Sequence, residues 1–137
     1  MICLDTGFVI RSLVKGSQEE AALRLWLGEG EQLSMCAIAW AEFLCGPVGL
    51  NETELARRIV QRRAPLTEAH ARDAASLFNA SGRRRGSLAD CFIAAEAIAA
   101  KAPLATTNVR DFERFAAQGL RLARLPETTR GAARPRS

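Results

Sequence analysis

Short apolar runs alternate along the chain with longer amphipathic or apolar segments, and this alternation predicts strands separated by helices. Three runs, at residues 1–4, 32–37 and 103–106, are each followed by a segment with helical character. A fourth run at 120–125 is interrupted by two arginines, which favours an edge strand. Strands that alternate with helices favour a parallel sheet covered on both faces. We therefore predict an α/β fold, a three-layer α/β/α sandwich with a short parallel sheet.

Capping residues predict where the helices begin. Short polar side chains at such positions accept hydrogen bonds from the free amide groups of the first turn. The segment after position 87 is apolar or small on nearly every side, so this helix is expected to be buried on two sides. Residues 65–66 predict a turn or a very short strand. The predicted caps are Ser17, Asn51, Thr67, Ser87 and either Thr107 or Asn108.

Composition narrows the class of protein. The 137 residues fit one domain, and 48% hydrophobic and 25% charged residues are ordinary for a globular protein. No apolar run approaches the length of a membrane span, and Asp5 interrupts the position of a signal peptide, so we expect a cytoplasmic location without membrane attachment. The four cysteines show no metal-binding spacing and are predicted to be buried hydrophobic residues: Cys3, Cys36, Cys45 and Cys91.

The net charge of +4 permits a polyanionic or an acidic protein partner without proving either. Arg83, Arg84 and Arg85 form a basic loop between two predicted helices. Such a loop could bind phosphates, or it could be a solvated loop or a protein contact. The only histidine, His70, is predicted to lie at the surface, and Trp26 and Trp40 are predicted to lie in the core or in a dimer interface.

Acidic and amide side chains recur where predicted strands end or helices begin. Asp5 follows the first strand, Glu42 lies early in the helix after the second, and Asp90 lies in the first turn of the apolar helix. Asn108 and Asp111 follow the third strand. Each has a structural alternative, because Asp5 or Asn108 could be a helix cap, Asp90 could interact with a helix dipole, and Glu42 could be exposed.

The carboxyl ends of parallel strands meet at one edge of a sheet, so these side chains are expected to converge. Clustered carboxylates repel one another unless a cation neutralises them, and hard oxygen donors suit Mg²⁺ or Mn²⁺. Such an ion could activate water for attack on a phosphodiester. A phosphatase that starts from an acid after the first strand would need a second aspartate at position 7, where this chain has Gly7.

Four segments match one family in order and spacing. Residues 2–6 look like its opening strand with the first acid, and residues 34–46 look like its S-x-x-x-x-x-E-L-x-x-G helix. Residues 89–97 are similar to its A-D-x-x-I-A-A-x-A helix, and residues 104–112 look like its L-x-T-x-N/D-x-x-D-F segment. The chain thus resembles the PIN domains and, within them, the VapC-type ribonuclease toxins of bacterial toxin–antitoxin pairs.

The resemblance implies Mg²⁺- or Mn²⁺-dependent endonucleolytic cleavage of RNA, a homodimer, and inhibition by a cognate antitoxin. Residues 1–126 would form the ribonuclease domain, and residues 127–137 are expected to be a disordered basic tail. The expected metal ligands and catalytic residues are Asp5, Glu42 and Asp90, with Asn108 or Asp111 completing the site. The expected substrate-binding residues are Thr6, Thr107, Arg83, Arg84 and Arg85.

Two departures from the family pattern leave an alternative open. Gly7 stands where the family usually has Asn or Ser, and the neutral Asn108 aligns with the fourth acid. A catalytically impaired PIN-like domain that binds RNA or a protein partner without cleavage would carry the same segments.

Overall fold

The computed structural model describes residues 1–126, and the predicted tail at 127–137 lies outside them. Four parallel strands form one sheet in the order β3-β2-β1-β4, which confirms the predicted fold class. Their bounds are β1 Ile2–Leu4, β2 Leu33–Cys36, β3 Arg62–Ala64 and β4 Leu104–Ala105. The helices that flank the sheet are α1 Thr6–Ser12, α2 Gln18–Gly28, α3 Ala37–Cys45, α4 Leu50–Ile59, α5 Glu68–Ala80, α6 Leu88–Ala99 and α7 Val109–Glu113. A 3₁₀ turn follows at Ala116–Gln118.

The central strands β1 and β2 are buried along their whole length, which is why their sequences are mostly apolar instead of alternating, with Ser34 of β2 as the polar exception. Cys3 is in register with Ser34 of β2 on one side and with Leu104 of β4 on the other. Helix α6 is buried at six positions and packs against α5, α3 and β2, as its all-round apolar sequence predicts. The sheet and α6 therefore form the centre of the hydrophobic core.

The strand β3 was not predicted. The prediction placed a turn or very short strand at 65–66, but pairing occurs just before, where Arg62 pairs with Ser34 and Ala64 pairs with Cys36. This strand lies at the edge of the sheet, and charged side chains are common there because one side of an edge strand faces solvent. The sequence of β3 is polar and lacks the apolar pattern from which a strand is predicted, so the strand was not recognised.

The predicted edge strand at 120–125 was wrong in extent. Only Leu122 makes a bridge, to Leu104, with backbone hydrogen bonds that join Leu104 to Arg121 and Ala123. The strand that it reaches, β4, is itself only two residues long. The segment reaches the sheet but does not form a regular strand.

Capping side chains marked some helix starts and misplaced others. Ser17 and Thr67 accept hydrogen bonds from backbone amides and confirm the starts of α2 and α5. Asn51 was wrong as a cap, since α4 begins at Leu50 and its N-cap is Gly49, two positions earlier. Ser87 and Asn108 occupy N-cap positions without accepting a capping hydrogen bond.

Two further surface predictions were wrong. Cys45 is exposed, in contrast to Cys3, Cys36 and Cys91, which are buried. His70 is only 4% exposed, because α5 turns it towards Glu96 on α6. None of the helices in residues 1–126 has the length and apolar character that crossing a bilayer requires.

Candidate active site

The parallel sheet delivers Asp5 directly from the end of β1 into the start of α1. Its carboxylate caps this helix, accepting a hydrogen bond from the Thr6 amide at 2.7 Å through Oδ1. Its other oxygen, Oδ2, accepts a hydrogen bond from Thr106 Oγ1 at 2.8 Å. Burial raises the pKa of Asp5, and the bonds from Thr106 and Thr6 act in the opposite direction. The capping role and a functional role are therefore compatible in one side chain.

Glu42 is held near Asp5 by Thr6, the first residue of α1. It lies in α3, which follows β2 without a break, and is exposed. Thr6 Oγ1 lies 3.1 Å from Glu42 Oε1 and 2.9 Å from the carbonyl oxygen of Ala39, so its single hydroxyl proton is shared between two acceptors. Thr6 thus connects the first and second predicted acids.

The segment after β4 brings the neutral and acidic candidates together. Thr106 Oγ1 accepts a hydrogen bond from the Asn108 amide at 2.9 Å, and Asn108 Nδ2 donates to Asp111 Oδ2 at 2.7 Å. The bond from Asn108 and the charge of Arg84 hold the pKa of Asp111 below its usual range. A continuous chain of hydrogen bonds therefore runs from Glu42 through Asp5 to Asp111.

Asp90 occupies the first turn of α6 and experiences the charges of the other acids. Desolvation raises its pKa to about 6, and the negative charges of Asp5, Asp111 and Glu42 act in the same direction, whereas Arg114 opposes them. A carboxyl that is harder to ionise marks a place where negative charge is concentrated and partly removed from water. The four predicted acids therefore share one electrostatic site.

The oxygen donors of the site, four carboxylates and one side-chain amide, are of the type that binds a hard divalent cation. Burial of Asp5 and the like charges around Asp90 disfavour the ionised carboxylates, and a bound positive charge would offset this effect. Within residues 1–126, however, no three His, Cys, Asp or Glu side chains lie in an arrangement that could hold a metal ion. The hydrogen bonds that Asp5 and Glu42 accept from hydroxyl groups leave further lone pairs on these carboxylates, whereas Asp90 pairs with Arg114 and would have to exchange this partner for an ion.

Only some of the predicted substrate-binding residues lie beside the acids. Arg84 Nη1 lies 3.4 Å from Asp111 Oδ1, which places the basic loop next to the acids. Arg83 instead turns towards α5, where it hydrogen-bonds to Asn79 and lies over the ring of Phe78. Thr107 does not bond to Asp5, but its hydroxyl lies 2.8 Å from where a β-carbon on Gly7 would be. That hydroxyl occupies the space left by the absent side chain.

Sequence reasoning missed two residues of this site. Thr106 hydrogen-bonds to Asp5, although the prediction had chosen its neighbour Thr107. Its signal was its place directly after β4, equivalent to the place of Asp5 after β1. Arg114, which pairs with Asp90, lies just after α7. With five residues, this helix is too short for its sequence pattern to show which side chains face the site.

Comparison with known proteins gives one family and a set of similar structures. The family model described as PIN domain matches residues 2–118. A toxin–antitoxin complex from Klebsiella pneumoniae is 21% identical, with a TM-score of 0.65, covering 82% of this chain and 90% of that one. VapBC2 from Rickettsia felis, bound to a promoter DNA fragment, is 20% identical with a TM-score of 0.71, covering 90% and 98%.

VapBC-1 from nontypeable Haemophilus influenzae is 23% identical, with a TM-score of 0.68, covering 93% of this chain and 100% of that chain. None of the curated proteins matches the chain by sequence. At these identities the structures establish a shared fold.

Proposed function

The chain belongs to the PIN domain family, and on this premise we propose that it is a metal-dependent endoribonuclease that hydrolyses RNA phosphodiester bonds. We also propose that it is the toxin of a type II toxin–antitoxin pair. The observation that carries the proposal is the electrostatic site around Asp90, where Asp5, Glu42 and Asp111 add negative charge to a partly desolvated carboxyl. Such a site favours a divalent cation.

Asp5, Asp90 and Glu42 would hold Mg²⁺ or Mn²⁺, with Asn108 or Asp111 completing the oxygen donors. A bound ion of this kind lowers the pKa of water and neutralises charge on a phosphodiester during in-line attack. The chain's own contribution is orientation. Thr106 and the Thr6 amide fix the two oxygens of Asp5, and the Thr6 hydroxyl holds Glu42, so both carboxylates are positioned before substrate arrives.

The basic loop would bind the RNA backbone. Arg84 already lies beside Asp111, and guanidinium groups bind phosphate oxygens through charge-assisted hydrogen bonds. Arg83 and Arg85 would add positive charge on the same loop. Thr6 and Thr107 supply hydroxyl groups next to the acids, where a phosphate or a ribose could accept a hydrogen bond.

A protein antitoxin and a second copy of the chain are the proposed partners. The similar structure from Klebsiella pneumoniae is described as a toxin–antitoxin complex, which supports a protein partner here. Large apolar side chains on α3 and α4 remain exposed in the single chain, with Leu50 at 86% and Leu44 and Leu55 each at 46%. Exposed apolar side chains favour association. A dimer would be detected by light scattering as a mass of about 30 kDa, twice the 14.9 kDa of one chain.

The proposal is tested by incubating labelled total RNA with purified protein in Mg²⁺, Mn²⁺ or EDTA. Asp90→Asn removes a charge from the site, and Asp73→Asn, on the exposed face of α5, is the matched control. We expect discrete fragments that disappear with EDTA and with Asp90→Asn but persist with Asp73→Asn. Fragments that persist in EDTA would contradict metal dependence.

A second candidate is a PIN-like domain that binds RNA or a protein without cutting. It is favoured by one observation, that each acid bonds to a protein group and no three of them within residues 1–126 are arranged around a common point. RNA that is retained in a gel-shift assay but not cleaved in either metal, by folded and antitoxin-free protein, would support this candidate.

A further inference from the structure

Arg114 is a half-buried cation beside the acidic site, with its guanidinium nitrogens shielded from solvent. It follows α7, and its side chain is 18% exposed, with Nη2 lying 3.8 Å from Asp90 Oδ2. The guanidinium group lies over the ring of Phe115, with its central carbon 4.5 Å from the ring centroid. Phe115 is itself completely buried, so the arginine is fixed between a rigid aromatic ring and a carboxylate.

The hydrogen-bonding groups of this guanidinium are not used. Its three nitrogens, Nε, Nη1 and Nη2, are all buried and have no hydrogen-bond partner among the described residues. A guanidinium group stays charged in proteins, and burying it without hydrogen bonds is unfavourable. The Cys91 thiol beside the guanidinium is only a weak acceptor, so the compensation available here is mainly electrostatic, and it comes from Asp90 and from the acids around Asp90. A residue kept for packing alone would not require this charge.

We propose that Arg114 is a positioning residue that acts through Asp90, as an internal counter-charge that neutralises the acidic site until a divalent cation replaces it. This inference rests on the proposed function. The nitrogens of Arg114 are buried, so they do not present a surface to RNA. The effect on the reaction is therefore indirect, since the arginine holds Asp90 while the site lacks an ion and competes with the ion for that carboxylate.

Competition of this kind has a definite sign. A positive charge next to a cation site weakens cation binding, so removing it strengthens binding, whereas a residue that helps to build the site would have the opposite effect. We expect Arg114→Met to bind Mn²⁺ about three- to tenfold more tightly than the unchanged protein, and Arg114→Lys to stay within about twofold of it. The measurement is a Mn²⁺ titration followed by electron paramagnetic resonance, without RNA.

The matched control is Arg72→Met. Arg72 lies on the exposed face of α5, where it pairs with Glu68, so this variant removes one positive charge that is paired with an acid outside the site. Its Mn²⁺ affinity should remain within about twofold of the unchanged protein, because solvent and salt screen an exposed charge. Unchanged or weaker Mn²⁺ binding by Arg114→Met would overturn the inference, and so would equally tight binding by Arg114→Lys.

A second experiment does not depend on metal. Thermal unfolding in EDTA is measured for Arg114→Lys, Asp90→Asn and the variant carrying both substitutions. If the two residues pair, the loss of Tm caused by Arg114→Lys is smaller when Asp90 is already neutral. Equal losses in both backgrounds would contradict the pairing, even if Arg114→Met does not fold. Absence of Mn²⁺ binding by the unchanged protein would instead contradict the proposed function.

Discussion

Thr106 Oγ1 donates a 2.8 Å hydrogen bond to Asp5 Oδ2, joining the residue that follows β4 to the residue that follows β1. Asp5 is 8% exposed, so its oxygen cannot exchange this donor freely for water. Thr106→Val keeps the shape of the side chain and removes both the donor to Asp5 and the acceptor for the Asn108 backbone amide. We expect it to raise the pKa of Asp5 further and to lower the free energy of unfolding by about 1–3 kcal/mol.

Chemical denaturation of the metal-free protein measures this effect. Thr107→Val is the matched control, since Thr107 is exposed and makes no hydrogen bond to Asp5. Its free energy of unfolding should remain within about 0.5 kcal/mol of the unchanged protein. A loss no larger than that of the control would show that the hydrogen bond from Thr106 contributes nothing.

The raised pKa of Asp90 predicts how stability depends on pH. The carboxyl has a pKa of about 6 in the folded protein and an ordinary value of 3.8, so between these values the folded state binds more protons than the unfolded state. The free energy of unfolding of the metal-free protein should therefore fall as pH rises from about 4 to about 6 and then level off. The side chain is 30% exposed, and after allowance for solvent screening we expect a contribution of about 1–2 kcal/mol.

Denaturation curves collected in EDTA across this pH range test the prediction, with Asp90→Asn as the control. The asparagine variant should lose much of the decline, leaving the smaller contribution of the other acids. Mn²⁺ binding should weaken below about pH 6, because the ion requires the ionised carboxylate. A decline of equal size in both proteins would exclude Asp90 as its source.

Glu96 is expected to be a major contributor to stability at the other end of the sheet. It is buried, and its Oε2 accepts a 2.6 Å hydrogen bond from Arg62, which also donates to Ser34 Oγ at 2.9 Å. His70 Nε2 lies 2.9 Å from Glu96 Oε1. Glu96 is buried, but the Arg62 side chain is 36% exposed and stays partly hydrated when its partner is removed. Glu96→Ala should therefore lower the free energy of unfolding by about 1.5–3 kcal/mol, the cost of losing hydrogen bonds to a charged group.

The comparison for Glu96→Ala is Glu68→Ala. Glu68 pairs with Arg72 four residues later on α5 and is 82% exposed, so its removal should cost less than about 0.5 kcal/mol. Urea denaturation distinguishes the two expectations. Similar midpoints for the two variants would mean that burial of the Glu96 pair adds nothing.

Gly7 and Thr107 are expected to be coupled. Gly7 lies inside α1, where Gly→Ala ordinarily stabilises by about 0.5–1 kcal/mol. A β-carbon at this position would lie 2.8 Å from Thr107 Oγ1, closer than contact distance, so the threonine would have to move. Gly7→Ala should therefore gain less than expected in the unchanged protein and recover its full effect with Thr107→Ala, which lacks the hydroxyl. Additive changes in a double-mutant cycle would contradict this coupling.

If the chain binds RNA as proposed, neutralising the basic loop should weaken binding by a similar factor for RNAs of different sequence. Replacing Arg83, Arg84 and Arg85 by alanine removes up to three phosphate contacts, so the slope of binding affinity against salt should become shallower. Electrophoretic shifts with two unrelated RNAs at several salt concentrations measure both quantities. The control is a triple replacement of Arg57, Arg58 and Arg63, which lie in or next to α4 and β3. An unchanged slope would remove the loop from the RNA-binding surface.

The sequence predicted those parts of the structure that depend on local patterns. Continuous apolar runs marked β1 and β2, and alanine-rich composition marked the buried helix α6. Asp5, Glu42 and Asp90 were identified because each follows a strand or starts a helix, although their role in catalysis stays a prediction. The strand β3 was missed because its sequence is charged, and the buried His70 was missed because its burial depends on Glu96, a partner distant in the sequence. Tertiary contacts of that kind leave no periodic signal.

The pairing of β1 with β4 has a consequence during protein synthesis. Asp5 and its donor Thr106 are separated by 101 positions, and the amide of Asp5 also bonds to the carbonyl of Ala105. A nascent chain that has not yet delivered β4 from the ribosome therefore carries Asp5, Glu42 and Asp90 without the strand that completes their surroundings. Long-range pairings of this type form late in folding. Should the chain be a ribonuclease, its activity would appear only after nearly the whole domain has been translated.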